Sequence, residues 1–119
     1  MLNRVEIIGN VGKEPEMRFT PAGKAVTSFS VAVNSKFGDK ENTEWFSIVT
    51  WDKLAETCNQ HLSKGQQVYV EGRIQTHKWE DDKGTHYKSE VIAGRVIFLG
   101  KREVSETTEV DSKNNDLPF

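Results

Sequence analysis

Only one stretch of this chain has helical periodicity, and it lies between strands. In residues 52–62 the apolar positions are Leu54, Ala55, Cys58 and Leu62, a stripe spaced i, i+1, i+4 and i+8 that marks one side of a helix of about three turns. Asp52 is placed to cap its N-terminus and Gly65 to stop it. Elsewhere the pattern has period two or breaks into turns, so the core must come from strands.

The strands follow from alternation. Val5–Gly9 is a short apolar run, interrupted by Gly9-Asn10-Val11-Gly12 and by Glu14-Pro15-Glu16, and extended chain resumes at Met17–Thr20. These pieces predict one bent or bulged first strand. Pro21-Ala22-Gly23-Lys24 is a turn, after which Ala25–Val33 places Phe29, Val31 and Val33 on one face and Ser28 and Ser30 on the other. Asn34–Asn42 is polar, contains Gly38-Asp39, and reads as a loop carrying one large apolar residue, Phe37.

Thr43–Trp51 is a strand rich in β-branched and aromatic residues, with Trp45, Ser47, Val49 and Trp51 on one side and Phe46, Ile48 and Thr50 on the other. After the helix, residues 67–79 alternate again. Val68, Val70, Gly72, Ile74 and Thr76 form the expected core face; Tyr69, Glu71, Arg73, Gln75, His77 and Trp79 lie opposite. Glu80–Gly84 is a hairpin tip and His86–Leu99 the last strand. The order is bent strand, strand, strand, helix, strand, strand. It predicts an all-β fold, a five-stranded Greek-key barrel of the OB-fold type with one short helix between strands 3 and 4.

Charge divides the chain. Residues 1–102 carry 15 Lys/Arg against 13 Asp/Glu, whereas 103–119 carry one Lys against five acids. The expected organisation is a mildly basic domain over 1–100 and an acidic tail over 101–119 that is too polar to fold. The tail ends in Asp116-Leu117-Pro118-Phe119, an apolar tip that reads as a docking motif for partner proteins. No apolar run reaches the roughly 18 residues of a membrane span, and no secretory leader is evident at Met1–Arg4. The single cysteine, Cys58, forms no internal disulfide and fits a cytoplasmic location.

The chemistry lies in the aromatics. Cys58, His61, His77 and His86 have no metal-ligand spacing, and the glycines form no phosphate-binding loop. No metal, cofactor or catalytic centre is expected, and the chain reads as a non-enzyme. Phe37, Trp45, Trp51 and Trp79 are expected to converge on one outer face, with Lys36, Lys53, Lys64, Arg73, His77 and Lys78 around them. Flat π-faces stack on unpaired bases of any identity while lysines follow the phosphates. A duplex hides its base faces, so single strands are the expected ligand. An RNA-binding barrel and an adaptor that buries its aromatics in a protein interface are the competing readings.

The residues also carry a resemblance. Asn3–Gly12, Glu14–Phe19, Thr43-Glu44-Trp45, Lys53–Glu56, Lys64–Gly72, Lys78-Trp79 and the ending Asp116–Phe119 are similar to the bacterial single-stranded DNA-binding protein family of the replication type. The resemblance implies a homotetramer of OB-folds that coats single-stranded DNA in replication, recombination and repair in the cytoplasm, at the nucleoid. It implies stacking roles for Phe37, Trp45, Trp51 and Trp79, with Phe37 where tryptophan is common and Trp51 where phenylalanine is common. It also implies recruitment of replication and repair proteins by Asp116, Leu117, Pro118 and Phe119, although this tail is short and has few acids beside its tip. Phe46 and Tyr69 are the expected subunit-interface residues.

Overall fold

The structure is a computed structural model that describes residues 1–100. The elements are β1 (Val5–Val11), β2 (Glu16–Phe19), β3 (Ala25–Phe37), β4 (Lys40–Trp51), α1 (Asp52–His61), β5 (Gln67–Asp81) and β6 (Gly84–Gly100). The expected tail, with Asp116–Phe119, lies outside the described residues.

The sheet runs β1-β5-β6-β4-β3-β2 and closes because β1 also pairs with β3. Val5–Asn10 pair antiparallel with Gly72–Gln67 of β5, while Asn10 and Val11 pair with Ala32 and Val31 of β3. A strand that serves two neighbours must come close to one of them. Gly9 allows it, since a Cβ there would strike the carbonyl oxygen of Ala32. β2 then continues along β3, pairing Glu16–Phe19 with Ser28–Ala25. The expected bent first strand is thus β1 plus β2, and the described residues form the five-stranded barrel with a single helix.

Alternation fills the barrel. Ile7, Val11, Phe29, Val31, Ile48, Val68, Val70, Val91 and Ala93 are buried together with Cys58 and Leu62. Each large aliphatic side chain among them contributes about 1.5–3 kcal/mol by leaving water. Helix α1 lies against β3 and β4, where one buried hydroxyl ties it to β3 and a second ties β3 to β4. Thr27 Oγ1 donates to the carbonyl of Ala55 at 2.7 Å, and Thr50 Oγ1 donates to the carbonyl of Thr27 at 2.9 Å.

Three expectations change. Asp52 does not cap α1. The cap residue is Trp51, without a side-chain capping bond, and Asp52 is the first helical residue, at φ 57°. Strand and helix are joined with no loop residue between them, so Asp52 itself makes the turn. Asn34–Asn42 is not a loop either. Asn34–Phe37 pair with Thr43–Lys40, and Thr43 Oγ1 donates to Asn34 Oδ1 at 2.7 Å. Only Gly38 and Asp39 are left to turn, with Gly38 at φ 60°. Lastly, Ile74 and Thr76 are exposed rather than core. Pairing with β1 ends at Val5–Gly72, and beyond it the β5–β6 hairpin projects past the barrel. There the Asn3 side chain takes over the edge, donating to the Ile74 carbonyl at 2.9 Å and accepting from its N–H at 3.0 Å.

Candidate nucleic-acid interface

Strand register defines the outer face. On β4, Trp45, Ser47, Val49 and Trp51 stand opposite Ala32, Ser30, Ser28 and Val26 of β3. On β5, Arg73, Gln75, His77 and Trp79 stand opposite Ile92, Glu90, Lys88 and His86 of β6. The parallel pair Val49–Ile92 joins the two halves, and Glu16 and Arg18 of β2 extend the face past Ser28 and Val26. All three tryptophans therefore project from one continuous surface. Each remains well exposed, Trp45 at 61%, Trp79 at 47% and Trp51 at 40%.

Between Trp45 and Trp51, about 20 Å apart along an extended strand, the surface is low. Ser28, Ser30, Ser47 and Val49 floor a groove whose sides carry Lys13, Arg18 and Lys88 but also Glu14, Glu16 and Glu90. A second concavity, sharing Arg18, Val49 and Glu90, continues past Trp51 toward Gln75 and His77. Small floor residues and tall indoles at either end leave room for a flat ring system to lie on the sheet.

One of the groove acids, Glu90, has basic neighbours. Glu90 Oε1 is 2.7 Å from His77 Nε2, and its other oxygen is 3.9 Å from Lys88 Nζ. Trp79 is stacked on His86, whose Nε2 lies 2.9 Å from Asp81 Oδ1.

The remaining sequence-predicted residues scatter. Arg73 and His77 lie on the outer face, and Lys36, opposite Glu41, shares the Trp45 side of its hairpin. Alternation puts Phe37 on the other side of that hairpin, 87% exposed, and puts Lys78, opposite Tyr87, on the other side from Trp79. Lys53 is on the exposed first turn of α1. Lys64 sits in the α1–β5 connection, where its N–H donates to Glu14 Oε1 at 3.0 Å, close to the Lys13 wall. Lys13, Arg18, His86, Lys88 and Glu90 join this face beyond the residues expected there. Period two over β6 places the last three, His86, Lys88 and Glu90, on one polar side of that strand.

A different surface surrounds Tyr69. Ile8, Gln67, Tyr69, Arg95, Ile97 and Leu99 line an apolar depression, with Ile8 54% exposed. Tyr69 Oη lies 2.8 Å from Glu71 Oε1 and 3.2 Å from Glu6 Oε2, with one proton to donate between the two carboxylates, while Arg4 reaches Glu6 at 2.9 Å and Glu71 at 3.4 Å. The hydrogen bond to Glu71 is the main cause holding the Tyr69 phenol above its ordinary pKa, followed by burial and Glu6. The bond to Glu6 likewise raises Arg4, helped by Glu71. Phe46 is not part of this surface. It packs, half-buried, against the barrel core beside Val31.

Comparison with known proteins gives this geometry a context. The chain is 40% identical to the single-stranded DNA-binding protein 1 of Chlorobaculum tepidum, over 98% of its own length and 76% of that protein. It superposes on the Plasmodium falciparum SSB, solved as a complex with ssDNA, with a TM-score of 0.79 at 34% identity, covering 84% of this chain and 96% of that one. The sequence model of the single-strand binding protein family matches residues 2–99. That match spans the whole barrel and the face bearing the three indoles, and on it the chain belongs to the single-strand binding protein family.

Proposed function

We propose that this protein binds single-stranded DNA without sequence preference and coats it during replication, recombination and repair. The observation that supports this best is the projection of Trp45, Trp51 and Trp79 from one continuous sheet surface, with the low groove between the first two. Stacking supplies affinity for any unpaired base, and Lys13, Arg18 and Lys88 supply attraction for phosphates. No groove-reading helix is involved; the ligand lies across strands. The role is binding, not catalysis.

The test is titration with oligonucleotides. Tryptophan emission should be quenched on saturation, and affinity should fall as salt rises. Trp45→Ala and Trp79→Ala should each weaken binding by about 1–3 kcal/mol, the range seen on alanine substitution in single-strand binders, this family included. Equal or tighter binding to duplex DNA overturns the reading. Tighter binding to a matched RNA transfers it to RNA, with the 2′-hydroxyl as the discriminating group.

The protein works as a homotetramer in the cytoplasm, at the nucleoid, in the same reading. The apolar depression of Ile8, Tyr69, Ile97 and Leu99 is the surface that supports self-association. Sedimentation with oligonucleotides of increasing length reports oligomer and site size together. Asp116, Leu117, Pro118 and Phe119 serve as the docking tip for replication and repair proteins. Removing them should abolish partner capture and leave affinity for a short oligonucleotide intact.

A further inference from the structure

The indole of Trp45 reaches across β3. Its Cζ3 and Cη2 atoms, together with Ser30 Oγ, converge on one point, the position a Cβ would take on Gly12. Such a Cβ would overlap Cζ3, and would stand 2.8 Å from Cη2 and 3.0 Å from Ser30 Oγ. Gly12 is held at that point from behind, because its N–H donates to the Ser30 carbonyl at 2.9 Å. Among the described residues Ser30 Oγ is the one buried side-chain polar atom without a hydrogen-bond partner.

We propose that Gly12 is a positioning residue for the stacking platform: its missing side chain is the seat that holds the Trp45 indole at the end of the groove. The proposal rests on the single-strand binding reading, and it adds a residue that never touches the ligand. Backbone conformation does not demand glycine here, since Gly12 has no positive φ. The collision is also with the far end of a side chain rather than with backbone, unlike Gly9 and Gly72, where a Cβ would strike the carbonyl oxygens of Ala32 and Ile92. Alanine at position 12 therefore leaves the barrel intact and displaces the indole. A base that stacked on the seated ring then meets one in the wrong place, and orientation is lost rather than the fold.

The experiment is a double-mutant cycle between Gly12→Ala and Trp45→Phe, since a phenyl ring lacks the Cζ3 and Cη2 atoms that meet the new methyl. Affinity for a short oligonucleotide is measured for all four chains. Separately, Gly12→Ala is placed in a Trp51→Phe/Trp79→Phe background, where emission reports Trp45 alone. Gly12→Ala should weaken binding about tenfold with Trp45 present and by less than about twofold with phenylalanine there. In the free protein it should shift Trp45 emission and raise its quenching by acrylamide, while the melting temperature changes little. Equal losses in both backgrounds, or unchanged emission and affinity, overturn the proposal. A parent chain that binds no oligonucleotide overturns the proposed function instead, and the free-chain emission still decides whether Gly12 seats the ring.

Discussion

His86 lies against Trp79 across the β5–β6 hairpin, with ring centroids 5.3 Å apart and planes inclined by 24°. The two residues are register partners on the outer face, and Asp81 holds the imidazole at 2.9 Å. One face of the indole is therefore already covered, leaving the other for a base. A stacked neighbour also fixes the rotamer of a side chain that would otherwise lose that freedom on binding, at a cost of about 0.5–1.5 kcal/mol. His86→Ala should weaken oligonucleotide binding by about 0.5–1 kcal/mol, less than Trp79→Ala does. It should also make Trp79 more accessible to acrylamide in the free protein.

Glu90 places a carboxylate where a polyanion would run. Its neutralisation by His77 holds only when the imidazole is protonated, and Lys88 stands at 3.9 Å from it. Glu90→Gln removes the repulsion and frees Lys88 for phosphate. Binding near pH 7.5 and low salt should tighten by about 0.5–1 kcal/mol, and the slope of log affinity against log salt should steepen by up to about one unit. A charge that acts only through barrel stability would change the melting temperature and leave the salt slope alone.

The parts of this interface that sequence revealed are those set by strand alternation. Once residues 43–51 are a strand, Trp45 and Trp51 share a side as long as no bulge interrupts it, and its register with β3 is unbroken from Trp45 to Trp51. What escaped depended on where neighbouring strands end. Ile74 keeps the core-side phase of Val68 and Val70, yet it is exposed because β1 stops pairing at Gly72, a boundary set nearly 70 residues away in sequence. Phe37 looked like part of a loop, where alternation says nothing. Pairing of Phe37 with Lys40 around Gly38-Asp39 makes it a hairpin residue and gives it the side opposite Trp45. The seat beneath Trp45 was invisible for a similar reason, because Gly12 reads as a turn residue until β3 is laid between it and β4.

Asp52 carries backbone strain that the sequence did not announce. Its φ of 57° is a conformation L-residues other than Asn and Asp rarely adopt, and glycine adopts it without the Cβ penalty. Asp52→Gly should raise stability by about 0.5–1 kcal/mol and Asp52→Ala should lower it by a similar amount, measured by denaturant unfolding. Because the turn joins Trp51 directly to α1, both variants should keep the same oligonucleotide affinity if the indole is held by its own packing beside Val26 and Val49.

Cys58 gives a pH dependence that originates in the core. Its thiol is buried against the inner face of the barrel. Burial pushes its pKa up to about 11, with a hydrogen bond involving Thr50 acting in the opposite direction. The unfolded thiol ionises near pH 8.5, so the folded state holds its proton over a range in which the unfolded state has released it. The contribution to stability is complete below about pH 8.5 and is lost progressively as pH rises toward the folded value, on the order of 3 kcal/mol in all. Other groups also make stability depend on alkaline pH, so the informative quantity is the difference from Cys58→Ala. That variant loses stability at all pH values through its cavity, but its stability should fall less steeply above pH 9. Alkylation by iodoacetamide at pH 8 should be slow in the native chain and fast in denaturant. A native thiol that reacts as fast as the unfolded one would place Cys58 outside the core.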